Sequence, residues 1–239
     1  MKKMYVLIAA LAVGMALNAK DDVLTIESGD LNFWTETGKY AIIDIDWSNT
    51  QVVEWDKMKV EKEHGTIDQY NRMKGEDFVN DWPNVQTGVL GIAPAEANKL
   101  NKKKGIKIIS PIDEQALSVM TPEQKAEWEK SQAKAEKNGF VFRDASVANY
   151  QIKLTIDSID MGNAAASAFG MDPHNGGAII VGKMQVFDRA SNNLVCSIKI
   201  NHLKGWGSYS ETARMQMIFI ALWKEEFPKL LKENGIKMK

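Results

Sequence analysis

Three alternating runs followed by one long amphipathic stretch leave this chain few ways to fold. Tyr150, Ile152, Leu154 and Ile156 alternate with Gln151, Lys153, Thr155 and Asp157. Leu194, Cys196, Ile198 and Ile200 alternate in the same way with Val195, Ser197, Lys199 and Asn201. Between them, Ala178–Asp188 is more apolar at its start, as suits a strand with neighbours on both edges. Successive side chains of a strand point to opposite faces, so each run has one aliphatic and one polar side. An earlier run, Lys39–Ser48, matches them, with Ala41, Ile43, Ile45 and Trp47 on one face and Ile42, Asp44, Asp46 and Ser48 on the other. Paired together, these strands gather Asp44, Asp46, Lys153, Thr155, Asp157, Lys183, Gln185, Ser197, Lys199 and Asn201 on one sheet face. Such one-sided alternation predicts a mainly antiparallel or mixed sheet covered on its aliphatic face only. The expected fold is a two-layer α+β sandwich closed by a long C-terminal helix.

That helix is predicted over Tyr209–Lys232, with Ser208 and Glu211 as a capping box. At helical spacing Ala213, Met217, Ile220, Trp223, Phe227, Leu230 and Leu231 share a broad apolar face, with Arg214, Glu225, Lys229 and Lys232 opposite. A second apolar stripe, Met215, Ile218 and Leu222, runs along the far side. Either the chain covers that stripe itself, with the segment around Trp82 a candidate, or a second molecule does. Intrachain cover is the favoured alternative, because the N-terminal half needs somewhere to pack.

The N-terminal half is less periodic. Val23–Trp34 reads as a short strand, a turn and a second run, and Glu54–Gly75 as charged and only weakly patterned. Glu76–Trp82 reads as a short helix stopped by Pro83. Val85, Val89, Ala93, Ala97 and Leu100 recur at helical spacing, with a kink or restart expected at Pro94, which lacks an amide donor. Lys102, Lys103 and Lys104 then read as a solvated helix end. Ile106–Ile109 and Phe140–Phe142 suggest brief strands. Thr121-Pro122-Glu123-Gln124 starts a helix with a thin apolar stripe, so residues 113–139 read as a surface helical insertion.

Lys2 and Lys3 precede an apolar run, Tyr5–Leu17, of a length suited to a secretory signal and short for a bilayer span. Residues 1–19 are therefore read as a signal peptide, with Ala19 before the cut, and 20–239 as a single domain; an uncleaved membrane anchor is the competing reading, since Leu17 is less usual than Ala at the third position back. The chain is then exported, to the periplasm or beyond, as a soluble protein. The lone cysteine, Cys196, offers no lipid-anchor site near the start and reads as a small buried hydrophobe. Without Lys2 and Lys3 the 30 basic side chains fall to 28 against 31 acidic ones, a net charge near −3. Nucleic acid and anionic lipid are thus poor partners.

Chemistry-bearing residues are few. Asp44 and Asp46, two apart on one strand face, are close enough to act as paired carboxylates. The long Gly-rich segment Met161–Gly177 contains Asp172 and His174, for which a turn built on Asp, Pro, Asn and Gly is the plainer reading. His64, His174 and His202 have no ligand spacing, and no phosphate loop, nucleophile elbow, zinc or Ca²⁺ motif occurs, so no cofactor is expected. Gly205-Trp206-Gly207, opening the last helix, is a candidate anion site that Glu211 would disfavour. The seven tryptophans are scattered over different segments and read mainly as packing residues.

The run Gly177-Ala-Ile-Ile-Val-Gly-Lys-Met-Gln-Val-Phe-Asp188, leading into Cys196-Ser-Ile-Lys-Ile200, resembles small exported proteins of unknown function common in Bacteroidetes. More distantly, the order strand, Gly-rich loop, hairpin, long helix is similar to envelope proteins such as the curli-secretion lipoprotein CsgG and the N-terminal domain of TolB. The closer resemblance implies no activity. The distant one covers roughly residues 147–233, and pore formation is not carried over, because the anchor cysteine and pore-forming hairpins are lacking. Two functions are expected on these grounds. The first is a noncatalytic envelope module binding a protein partner or itself, with Asp44, Asp46, Asp172, His174, Trp206, Met215, Ile218 and Leu222 as candidate contacts. The alternative is a carboxylate-dependent hydrolase of an envelope or extracellular glycan or peptide, in which Asp44, Asp46, Asp172 and His174 would have to converge.

Overall fold

The computed structural model describes residues 22–56, 59–74, 76–101, 104–112, 117–163 and 174–237, with side chains described outside 74–84 and 87. Strands β1 (Leu24–Gly29), β2 (Tyr40–Asp46), β3 (Gln51–Asp56), β4 (Lys59–Thr66), β5 (Lys107–Ile108), β8 (Tyr150–Asp160), β9 (Ile179–Asp188) and β10 (Leu194–Lys204) form one eight-stranded sheet. Its order is β1-β10-β9-β8-β2-β5, with β3 also on β8 and β4 on β3. The pairs β1–β10, β10–β9 and β9–β8 are antiparallel, whereas β2, β3 and β5 join in parallel. The mixed α+β sheet is the expected class. Short β6 (Ser110–Pro111) and β7 (Phe142–Arg143) pair separately.

The alternation places most side chains as the pattern requires; Leu194 is exposed, because the register shifts between it and Cys196, and Ser197 is buried on the polar face. Ile152, Leu154, Ile156, Met184, Val186, Cys196, Ile198 and Ile200 are buried in the core, while Asp44, Asp157 and Lys199 are exposed on the opposite face. Burial pushes the Cys196 thiol up to about 11, with Asp30 adding to it, which fits an inert packing residue. The charged segment after Glu54 is not irregular: β3 and β4 form a hairpin. Its periodicity is faint because β4 lies at the edge with most side chains in solvent, so neither face needs an apolar row.

Helices α1 (Ile67–Lys74), α2 (Glu76–Leu100), α3 (Pro122–Glu136), α4 (Glu211–Ala221) and α5 (Phe227–Glu233) complete the chain. Helix α2 runs through both Pro83 and Pro94 without the expected stop or restart. Val85, Val89, Ala93 and Ala97 are buried along it, and that packing outweighs the lost amide donors. Helix α3 has the expected capping box, Thr121 with Gln124, and no buried residue.

The C-terminal helix departs most from its sequence pattern. The cap is Ser210, whose side chain accepts from Ala213 N, in place of Ser208. A π turn, Leu222–Glu226, separates α4 from α5, and Phe227 N–H donates to Leu222 O, five residues back. Pro228 explains its place: it has no amide for a regular bond, and the wider turn relieves its ring from the preceding carbonyl. The extra residue rotates everything downstream by about 100°. The stripe Met215, Ile218, Leu222 thereby lines up with Phe227, Leu230 and Leu231 as a single core face. Met215, Ile218 and Leu222 are 1, 0 and 0 % exposed, so they are covered within the chain and offer no surface for a second molecule. Ala213, Met217 and Ile220, expected at the centre of the core face, sit half-buried at its flank. The segment around Trp82, suggested as the cover, lies outside the described side chains.

Arg214, expected on the solvent side, is 2 % exposed. Its Nε donates to Met161 O at 2.7 Å and its Nη1 to Ser208 O and Tyr209 O at 2.8 and 3.2 Å. Three carbonyls at the mouth of the helix thus need this guanidinium, which is why burial is tolerated. In the core, Trp34 stacks on Trp223 with centroids 5.6 Å apart and planes at 10°, and both meet the edge of Phe227.

Candidate functional site

The candidate residues separate into two places. Asp44 and Asp46 reach the first through the alternation of β2, which turns both carboxylates to the polar sheet face. Beside them is a depression of about 470 Å³ lined by Asp44, Ile45, Asp46, Trp47, Ser48, Thr66, Ile67, Asp68, Gln86 and Lys153. Asp46 is engaged there: its Oδ1 accepts from Ser48 Oγ at 2.6 Å and Ser48 N at 3.1 Å, and its Oδ2 lies 3.1 Å from Lys153 Nζ. Those bonds, Ser48 first and Lys153 after, hold its carboxyl down at about 2. Asp44 is exposed and has no ion-pair partner among the described residues. Across the sheet Glu27 pairs with Lys183 at 3.0 Å and accepts from Ser197 Oγ at 3.1 Å, and these contacts, with the charge of Lys199 nearby, lower its carboxyl below the ordinary range.

The depression exists because the outer column of the sheet is incomplete. Strands β2 and β3 occupy the same edge of β8, β2 along Tyr150–Thr155 and β3 along Ser158–Ile159. Thr50 Oγ1 bridges the break by donating to Ile156 O at 2.6 Å. Outside them, β5 pairs only with Tyr40 and Ala41, and β4 begins only opposite Gln51. Between these two, the edge of β2 faces the depression.

His174 and Trp206 meet in the second place. Glu225, in the π turn, accepts from Trp206 Nε1 at 2.7 Å through Oε1 and lies 3.1 Å from His174 Nε2 through Oε2. His174 Nδ1 is 3.2 Å from Gly205 O, and Lys224 Nζ sits 5.2 Å from the Trp206 ring centre. This arrangement ties the end of the Gly-rich segment to the start of the C-terminal helix. It does not join the first place, since His174 is not among the residues lining the Asp44–Asp46 depression. Asp172 lies outside the described residues. Among the described residues no group of three or more His, Cys, Asp or Glu side chains is placed to hold a metal ion.

Neither the Glu225 clasp nor the gap beside β2 was visible in the sequence. A glutamate 51 positions from its histidine carries no spacing signal, and a gap is a property of pairing, not of any residue. The one usable sign for the gap is the brevity of the apolar run Ile106–Ile109.

The fold and its surfaces define a two-layer α+β protein with one sheet face open and polar. No known protein family and no curated protein matches the chain. Two solved structures align with much of it. One is the PelC dodecamer from Paraburkholderia phytofirmans, 11 % identical, TM-score 0.32, covering 90 % of this chain and 97 % of that one. The other is a single-substitution variant of that dodecamer, 12 % identical, TM-score 0.32, covering 85 % and 96 %. At such scores the likeness is too low to define a shared fold.

Proposed function

We propose that this chain is a noncatalytic, exported module of the cell envelope that binds a protein partner. The observation that carries the reading is the gap beside β2, opening onto a polar sheet face on which Asp44 stands exposed without an ion-pair partner among the described residues. Ordered polar surface next to an unfinished sheet edge suits recognition of another chain. Export is supported by the basic start and apolar run of residues 2–17. No helix among the described residues is long and apolar enough to cross a membrane.

The hydrolase alternative has less behind it. Asp46 is ionised at every physiological pH and already bonded to Ser48 and Lys153, so it has no proton to donate. His174 belongs to the other cluster.

The test is site-specific photocrosslinking in intact exporting cells, with a benzophenone side chain at Asp68 on the rim of the gap, at Gln185 on the polar face, or at Lys130 on α3. Adducts from 68 or 185 and none from 130 are expected. Equal adducts from all three positions, or none, would sink the reading. A fusion of residues 1–30 to alkaline phosphatase, which is active only outside the cytoplasm, tests export separately.

A further inference from the structure

The hydrogen-bond parity of β2 shows what its outer edge presents. Lys107 N donates to Lys39 O and Ile109 N to Ala41 O, while Asn149 N donates to Tyr40 O. Odd-numbered residues therefore direct their N–H and C=O outward, away from β8, and even-numbered residues direct theirs towards it. Ile43 and Ile45 follow Ala41 in that series. Their outward groups have no partner among the described residues. The neighbouring edge is treated differently. There Asn98 imitates a strand: its Oδ1 accepts from Ile108 N at 2.8 Å and its Nδ2 donates to Ile108 O at 2.7 Å. The chain thus closes the edge of β5 with a side chain and, among the described residues, leaves that of β2 open. Ile43 and Ile45 are only half-buried although their side chains point to the core. A missing neighbour accounts for that.

We propose that an extended, basic segment of a partner protein adds as a strand along the open edge of β2, filling the gap between β5 and β4. This rests on the binding reading above and specifies its mode. The free stretch Ile43–Asp46 spans roughly 13 Å, room for about four extended residues. Main-chain bonds to Ile43 and Ile45 would supply affinity, and alternate side chains specificity. One set would lie beside Asp44 and Asp46, with Asp68 on the same rim; three carboxylates against Lys153 favour lysine or arginine there. The other set would point inward, towards Ile67 and Gln86, and suits small or β-branched residues.

The probe is a panel of N-acetylated hexapeptide amides alternating Lys or Arg with Val, Ile or Thr, added to the ¹⁵N-labelled chain. Amide exchange at Ile43 and Ile45 is expected to slow at least about tenfold on binding. N-methylation of alternate peptide residues should abolish binding, and peptides with Glu in place of Lys should bind at least about tenfold more weakly. Asp44→Lys should weaken the basic peptides with no change in melting temperature. Ile45→Pro, which removes an outward N–H and leaves the ladder to β8 intact, should remove protection at Ile43. The proposal is overturned if no peptide protects these amides, or if binding survives N-methylation. It is equally overturned if the shifts fall on β9 and β10. If that happens while crosslinks still form at 68 or 185, binding stands and only strand addition fails; if crosslinks also vanish, both fall.

Discussion

The π turn makes a sharp prediction about deletions in the C-terminal helix. Removing one residue from a regular helix turns everything beyond it by about 100°. Deleting Gln216 would therefore rotate Ile218, Phe219, Leu222, Trp223, Phe227, Leu230 and Leu231, all of them 0–5 % exposed, off the core face. At ~1.5–3 kcal/mol for each buried side chain, roughly 10–20 kcal/mol of burial is at stake, against about 5–15 kcal/mol of net stability for a whole domain. That chain should not fold. Deleting Lys224 is different, because it lies inside the turn that already carries one residue too many. Its loss converts the turn to regular helix and keeps both stripes in phase, provided Pro228→Ala restores an amide. The cost is an ion pair with Glu96 at 3.8 Å, in which the lysine is 44 % exposed, and the contact with Trp206. Together these amount to about 1–2 kcal/mol. Urea titrations followed by circular dichroism and tryptophan fluorescence read both variants. Loss of folding in the Lys224 deletion with Pro228→Ala, or tolerance of the Gln216 deletion, would show that the turn does not set the phase.

Three further outcomes follow from named contacts. Asp46 is held at about 2 in the folded chain, below its unfolded value near 3.9. Its contribution is therefore present above pH 4 and is lost as pH falls through 2; Asp46→Asn should be less stable than the parent at pH 6, with the difference mostly gone by pH 2, and a titration of the carboxyl by NMR above 3 would contradict this. Arg214→Met should cost about 1–3 kcal/mol, chiefly by leaving the buried carbonyl of Met161 unpaired, with the part-buried carbonyls of Ser208 and Tyr209 adding less, and with Arg214→Lys a poor rescue; a loss below about 0.5 kcal/mol in chemical denaturation would count against it. Glu225→Ala should remove the carboxylate that joins His174 to Trp206, so amide exchange in residues 174–178 and 205–208 should quicken while β8–β10 stay protected; unchanged exchange would mean the clasp is incidental.

Much of the fold was legible because it is written locally. The strands β8, β9 and β10 show their buried and polar faces through residues two apart, and Thr121 with Gln124 marks the start of α3 by itself. Asp44 and Asp46 were found on the polar face by the same rule. The register of the C-terminal helix was misjudged for a related reason. Periodicity assumes a constant pitch, and one extra residue before Pro228 makes a single face look like two.

What the sequence determined by itself, then, is which side of each strand is buried and that a long apolar helix ends the chain. Those properties depend on near neighbours and on the pitch of the backbone. Only the tertiary structure decided that β2 and β3 share one edge of β8 in parallel, that Asn98 closes β5, and that the edge of β2 beyond Ala41 is left open among the described residues. Pairing is a competition among distant segments for the same donors and acceptors, and an unfilled place in a sheet appears only when every strand has taken its position.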